Sequence, residues 1–270
     1  MSGADLVIRT RLIPPRLPRR WLRRTRLDHQ LAAAAEYPVT VVCASAGYGK
    51  SSALASFAAR GGWPTIWYSL GEDSADPLVF LLHLVHACRS VAPRIGAHTC
   101  TLLEQRGPSA AAWSQALDAL INDLVLALED ETILILDDEH AVDDLPDVRA
   151  LIERLLARRP PLLHVLIATR AWPQLASLPI LQARGELFVV GEADLAFSAE
   201  ETAALFATVY DRPFSATEAL EIHEQTGGWP IALQLVGQGA PGRAADDKQA
   251  RRAAREYQEA ESVGDDPAGS

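Results

Sequence analysis

The stretch Val39–Ala53 passes from an apolar, β-branched run into small residues and then into a helix-forming segment, and its middle reads Ala44-Ser-Ala-Gly-Tyr-Gly-Lys-Ser51. A loop of this kind can hold a polyphosphate, because successive backbone N–H groups and the positive end of the following helix point into one concavity. In that reading the backbone of Ala46, Gly47, Tyr48, Gly49 and Ser52 surrounds the phosphates, and the two glycines keep side chains clear. Lys50 reaches the β- and γ-phosphates and the Ser51 hydroxyl ligates Mg2+, as in G-x-x-x-x-G-K-[ST]. Ala44 stands where that pattern has its first glycine. Lys50 is one of only two lysines, the other being Lys248, in a chain that otherwise uses arginine. A compact ammonium fits between phosphates where a planar guanidinium does not. The bland alternative is a glycine turn between strand and helix that binds nothing.

Two further groups have matching chemistry. Thr132–Leu136 is a continuous apolar run ending in Asp137-Asp-Glu-His140. Such runs belong to parallel strands covered on both faces, whose carboxyl ends carry ligand sites. Asp137 is therefore expected to hold the Mg2+ shell and Asp138 to polarise an attacking water, with Glu139 as second choice. His140 is either a turn histidine or a phosphate contact. A second buried run, Leu163–Ala168, ends in Thr169-Arg170, and an arginine there can stabilise charge at a γ-phosphate. Plain solvated turns remain the alternative for both acidic and basic ends.

These groups require a scaffold of alternating strands and helices. Strands are expected at Val39–Cys43, Thr65–Ser69, Thr132–Asp137, Leu163–Ala168 and Leu187–Val190. Helices are expected from near Ser51, over Pro77–Val91 behind an Asp76 cap, and over Ala110–Glu129, where Trp113, Leu117, Leu120, Leu124 and Leu128 step by three and four. Trp113 reads as core. From Glu192 the pattern turns helical, with a Ser198–Glu201 capping box, a helix over about Thr217–Thr226, and a third after Gly227-Gly-Trp-Pro230. The organisation expected is an Arg/Pro-rich arm (1–36), a P-loop domain (37–191), a helical subdomain (192–239) and a disordered tail (240–270). The arm, with Arg9, Arg11, Arg16, Arg19, Arg20, Arg23, Arg24 and Arg26, is held extended to about Trp21 by its prolines. It could bind nucleic acid, wrap the core and touch nucleotide, or be a solvated extension.

Composition narrows the class. A net charge of −10 over 270 residues argues against a general nucleic-acid binder, and no apolar run is long enough for a membrane helix. Cys43, Cys88 and Cys100 show no metal or disulfide spacing, so a reducing, cytoplasmic location is expected.

Taken together, Leu12-Ile-Pro-Pro-Arg-Leu-Pro18, Arg24-Thr-Arg-Leu27, the loop at 44–51, Ile66-Trp-Tyr-Ser-Leu70, Leu134-Ile-Leu-Asp-Asp-Glu-His140, Thr169-Arg170, Leu195-Ala-Phe-Ser198 and Gly228-Trp-Pro-Ile-Ala-Leu-Gln-Leu235 resemble the MalT-like, LuxR-class transcriptional regulators of the STAND ATPases. The resemblance spans residues 12 to about 238, and the family's loop also commonly lacks the first glycine. It implies an α/β P-loop NTPase fold with a five-stranded, mainly parallel sheet in the order 5-1-4-3-2. It also implies an ATP/ADP switch with Mg2+ and slow hydrolysis, in which Lys50, Ser51, Asp137, Asp138 and Arg170 keep the roles given above. Arg24 and Arg26 would lie near the base and Pro230 beside the adenine.

Family members continue into winged-helix, sensor and helix-turn-helix modules that these 270 residues are expected to lack, so no direct DNA binding is expected from them. Self-association, or association with full-length regulators, is the expected partnership. The competing class is a non-catalytic nucleotide-binding interaction module, and a third is a DNA binder acting through the arginine arm.

Overall fold

Five strands, β1 (Val39–Cys43), β2 (Thr65–Ser69), β3 (Thr132–Asp137), β4 (Leu163–Thr169) and β5 (Leu187–Val190), form one sheet in the order β2-β3-β4-β1-β5. Every pairing is parallel, with Cys43 opposite Thr169 and Ser69 opposite Asp137 at the carboxyl ends. The computed structural model describes residues 6–105 and 109–239; the tail expected at 240–270 lies outside them. The strands are those expected from the sequence, with β4 one residue longer, and their order is the one implied by the resemblance. All positions of β3 and β4 are buried, which is why these strands are apolar without alternation.

The helices are α1 (Thr25–Ala34), α2 (Lys50–Arg60), α3 (Pro77–Cys88), α4 (Ala97–Gln105), α5 (Ala110–Ala127), α6 (Pro146–Arg158), α7 (Ser177–Ala183), α8 (Glu192–Leu195), α9 (Ala199–Thr208), α10 (Ala216–Thr226) and α11 (Pro230–Gln238). Asp76 caps α3 by accepting the Leu78 N–H at 2.8 Å, with Pro77 in the first turn. The end of α3 falls three residues before the expected Val91, and α5 stops two residues before Glu129. In the first case Pro93 follows closely and its predecessor disfavours helix. α1, α4, α6 and α7 are additional to the elements expected. α6 has a clear stripe of Val148, Leu151, Ile152, Leu155 and Leu156, all buried.

The chain divides into two compact units. Among the described residues, the sheet unit comprises 6–17, 26–45 and 50–191, and the helical unit comprises 18–25, 46–49 and 192–239. In the sheet unit, Leu134, Leu136 and Val165 pack with Phe80, Leu84, Leu117, Leu120 and Leu124, and Trp113 lies half-buried against them. The arm is not simply extended there. Arg9–Leu12 forms a 3-10 turn; Arg11 pairs with Asp73 at 2.8 Å and donates to the Leu70 carbonyl at 3.3 Å. The Ile8 N–H donates to His83 Nε2 at 3.0 Å, and the His83 Nδ1 contact to the Val79 carbonyl places the ring proton on Nδ1.

In the helical unit, Phe197, Phe206, Ile222, Leu233 and Val236 make a small core joined by Leu22 from the arm. Capping boxes at Ser198–Glu201 and Ser215–Glu218 start α9 and α10. Gly228, at φ 70°, passes so close to the chain that a Cβ would lie 2.2 Å from the Phe197 carbonyl oxygen. Among the described residues no helix is long and apolar enough to cross a membrane.

Leu120 has no exposed surface in the layer between α5 and the sheet. Leu120→Ala is expected to lower unfolding stability by about 2–5 kcal/mol, read from urea denaturation of the full chain.

Candidate functional site

In the sheet unit the candidate residues meet at the carboxyl ends of β1, β3 and β4. The Ala44 N–H donates to the Thr169 carbonyl at 3.3 Å, which extends the β1–β4 ladder by one residue. Ala44 is buried, and among the described non-glycine residues only Asp138 and Asp211 have positive φ. A Cβ is therefore accommodated where the general pattern has glycine.

Lys50 opens α2 and is buried, its Nζ donating to the carbonyls of Ala44 and, at 3.1 Å, Ser45. Burial lowers its pKa; the carboxylates of Asp138 and Asp137 oppose that shift and the Arg170 guanidinium adds to it. Ser51 Oγ donates to Asp137 Oδ1 at 2.9 Å, joining the first turn of α2 to the last residue of β3. The Asp137 carbonyl in turn accepts the Leu70 N–H at 2.8 Å. Burial, and next the charge of Asp138, push the Asp137 carboxyl up to about 6.

Asp138 adopts a left-handed conformation, φ 59° and ψ 42°, which Asp tolerates better than most residues. The turn sends its partly exposed carboxylate to within 3.9 Å of His140 Nδ1. Glu139 turns inward. It is buried, neither carboxyl oxygen has a well-formed hydrogen bond, and burial followed by the charge of Asp143 raises its pKa to about 7. Arg170 is exposed one residue past β4. This cluster thus contains an ammonium, a guanidinium, a hydroxyl and two adjacent carboxylates. The Ser51 and Asp137 oxygens are hard donors side by side, and a buried carboxylate with a raised pKa is stabilised by a cation, so the pair fits Mg2+.

The helical unit contains the middle of the loop. Trp229 Nε1 donates to the Ala46 carbonyl at 3.3 Å, the Ile231 N–H donates to the Gly47 carbonyl at 3.2 Å, and the Tyr48 and Trp229 rings lie 6.3 Å apart. Burial, and then Glu192, raise the Tyr48 pKa. Gly47 and Gly49 both have positive φ, 77° and 74°. A Cβ on Gly47 would come within 2.7 Å of Ile231 Cγ2, whereas one on Gly49 would meet nothing within 4 Å. Pro230 starts α11 half-buried between Trp229 and Ile231. These two neighbours escape the sequence motif, although Gly227-Gly-Trp-Pro230 marks the turn that presents them.

Arg24 is committed within the helical unit. Its guanidinium donates to the carbonyls of Leu195 at 2.7 Å and Ala196 at 2.6 Å, pairs with Glu201 at 3.0 Å, and lies 4.1 Å over the Phe197 ring. Those contacts anchor the arm, a role that the arginine count alone does not reveal. Arg26, in α1 of the sheet unit, is exposed, and Ser52 is half-buried in α2.

Two substitutions check this geometry. Both Gly47→Ala and Gly49→Ala carry the left-handed penalty of about 1–2 kcal/mol, but only the first meets Ile231, so Gly47→Ala is expected to lower the melting temperature more; equal losses would contradict the packing. Removing Arg24 leaves Glu201 half of a largely desolvated pair, so Arg24→Ala is expected to cost about 3–5 kcal/mol in denaturant unfolding without any nucleotide present.

No family model matches the chain. By sequence it is similar to the HTH-type transcriptional regulator MalT of Cronobacter sakazakii, 28% identical over 234 residues, and to that of Serratia proteamaculans, 29% identical over 237 residues. Each alignment covers 85% of this chain and 25% of the relative, so the chain spans about a quarter of the length of the curated relatives it matches. By fold it is similar to a Walker-type ATPase of Pyrococcus abyssi, with a TM-score of 0.56 at 15% identity over 90% of this chain and 74% of that one. The chain is thus similar in sequence to part of the MalT regulators and in fold to a Walker-type ATPase.

Proposed function

We propose that this chain is a nucleotide-switch module that binds ATP or ADP with Mg2+ and hydrolyses ATP slowly, acting within, or together with, a MalT-like transcriptional regulator. The observation that carries this reading is the Ser51–Asp137 hydrogen bond beside Lys50, which sets a hydroxyl and a carboxylate next to a buried ammonium at the end of a parallel sheet.

In this reading the backbone of Ala46–Gly49 and Ser52 cradles the phosphates, and Lys50 exchanges its carbonyl partners for β- and γ-phosphate oxygens. Ser51 and Asp137 would hold Mg2+, which when bound would neutralise phosphate charge. Asp138 accepts a hydrogen bond from the attacking water and orients it toward the γ-phosphorus. Arg170 stabilises charge on the γ-phosphate oxygens as the bond to the leaving oxygen breaks. Pro230 and Arg26 border the nucleoside in this assignment. Arg24 contributes only by holding the arm, because its donors are already engaged. Slow turnover is consistent with a switch in which occupancy, not flux, is the output. Self-association or pairing with full-length regulators is the partnership this implies, in the cytoplasm.

Lys50→Ala is expected to abolish binding of a fluorescent ATP analogue. Asp138→Asn, which tolerates the left-handed turn, should retain binding and lose single-turnover hydrolysis. Tight ATP binding by the Lys50 variant would sink the assignment. Unchanged turnover in the Asp138 variant would remove Asp138 from catalysis, and binding without hydrolysis in the native chain would favour a non-catalytic interaction module.

A further inference from the structure

Four successive carbonyls of the loop accept hydrogen bonds, and their donors come from two places. Lys50 Nζ holds those of Ala44 and Ser45 within the sheet unit. Those of Ala46 and Gly47 are held within the helical unit, by Trp229 Nε1 at 3.3 Å and by the Ile231 N–H at 3.2 Å. A peptide group is planar and trans, so its N–H points opposite to its carbonyl. Turning the Ala46 and Gly47 carbonyls toward Trp229 and Ile231 therefore turns the Gly47 and Tyr48 N–H groups to the other side of the loop. Among the described residues neither of those N–H groups makes a hydrogen bond. They are consecutive backbone donors of the kind that binds anions.

The two donors on the helical side are each fixed in place. Ile231 lies in the first turn of α11, where a backbone N–H has no acceptor within the helix, and Gly47 supplies one. Trp229 precedes that turn with extended backbone, φ −64° and ψ 120°, and is 4% exposed. Its ring packs with Ala232 and with the half-buried Tyr48, Ile231 and Leu235. Tyr48 is tied in turn to Glu192 by a hydrogen bond between their side chains. A ring covered so completely presents no face on which a base could stack, which leaves the indole N–H as its means of acting on a ligand.

The two sets of donors part ways once a nucleotide binds. Lys50 then gives up its carbonyls for phosphate oxygens, and Trp229 and Ile231 are the donors that still fix the loop. We infer that Trp229 is a positioning residue for phosphate binding: with Ile231 it holds the loop from behind, so that the Gly47 and Tyr48 N–H groups meet the polyphosphate. This role rests on nucleotide binding at the loop, as proposed above. It ties Trp229 to the phosphates, whereas its neighbour Pro230 is assigned to the nucleoside.

The test is calorimetric titration of the full chain with Mg-ATP and, separately, with inorganic tripolyphosphate. Trp229→Phe keeps an aromatic ring and deletes the N–H donor. It is expected to weaken both ligands by the same factor, about five- to tenfold, the worth of one hydrogen bond. The single-turnover rate at saturating ATP should be unchanged, because the loop grips ground state and transition state alike. Val236→Ala, in the helical core but outside the Trp229 cluster, should leave both affinities unchanged. A loss confined to ATP would put Trp229 at the nucleoside and overturn the inference. Unchanged affinity for both ligands would overturn it too, as would an equal loss in Val236→Ala, the mark of general softening. Should Trp229→Phe not fold, hydrogen exchange at the Trp229 indole N–H of the native chain decides: slow exchange retained with tripolyphosphate bound supports the positioning role, and lost protection overturns it. A native chain that binds neither ligand defeats the nucleotide reading itself, whereas native binding that Trp229→Phe does not weaken defeats the positioning role alone.

Discussion

One hydrogen bond, from Ser51 Oγ to Asp137, sets the terms for the sheet unit. Its two residues come from β3 and from the helix that follows β1, strands that are not neighbours because β4 runs between them. For the bond to form, β1, β4 and β3 must end at matching heights, and α2 must start immediately beyond the loop. The registers meet that demand: Cys43 lies opposite Thr169, and Ser69 opposite Asp137, whose carbonyl is tied to Leu70. The cost is a carboxylate withdrawn from water beside a second carboxylate. Burial and the neighbouring Asp138 charge raise the Asp137 pKa, and a nearby cation is the ordinary way to offset that cost.

The turn after β3 sorts three consecutive acids by environment. Asp137 ends the strand inside the sheet, Asp138 takes a left-handed conformation and stays partly exposed, and Glu139 is folded inward with unsatisfied oxygens. A straight strand would have alternated them between faces. The left-handed residue breaks that alternation, and this is why Asp138 is the acid with access to solvent and Glu139 is not.

Much of this was legible from sequence because local rules acted alone. Parallel strands buried on both faces must be apolar throughout, so Thr132–Leu136 and Leu163–Ala168 announced themselves, and capping chemistry at Asp76 and Ser198 located helix starts. α6 carried an equally clear stripe and could have been found by the same rule. α4 could not, since Thr99 is its only fully buried residue and periodicity needs a buried face to speak. α3 came out short because its helical bonding gives way to turns over Arg89–Ala92 ahead of Pro93, and α5 because Leu128 already has extended backbone.

The sequence by itself determined the loop, the acids and the order in which strands and helices follow one another, because each depends on residues close together along the chain. Tertiary structure decided what those residues touch. It placed Ala44 in the β1–β4 ladder, where a side chain is harmless, and made Gly47 indispensable through Ile231, nearly two hundred residues on. It turned Arg24 from one arginine among many into an anchor across Leu195, Ala196 and Glu201. Contacts of that separation leave no periodic trace, since their energy depends on distances that only the folded chain creates.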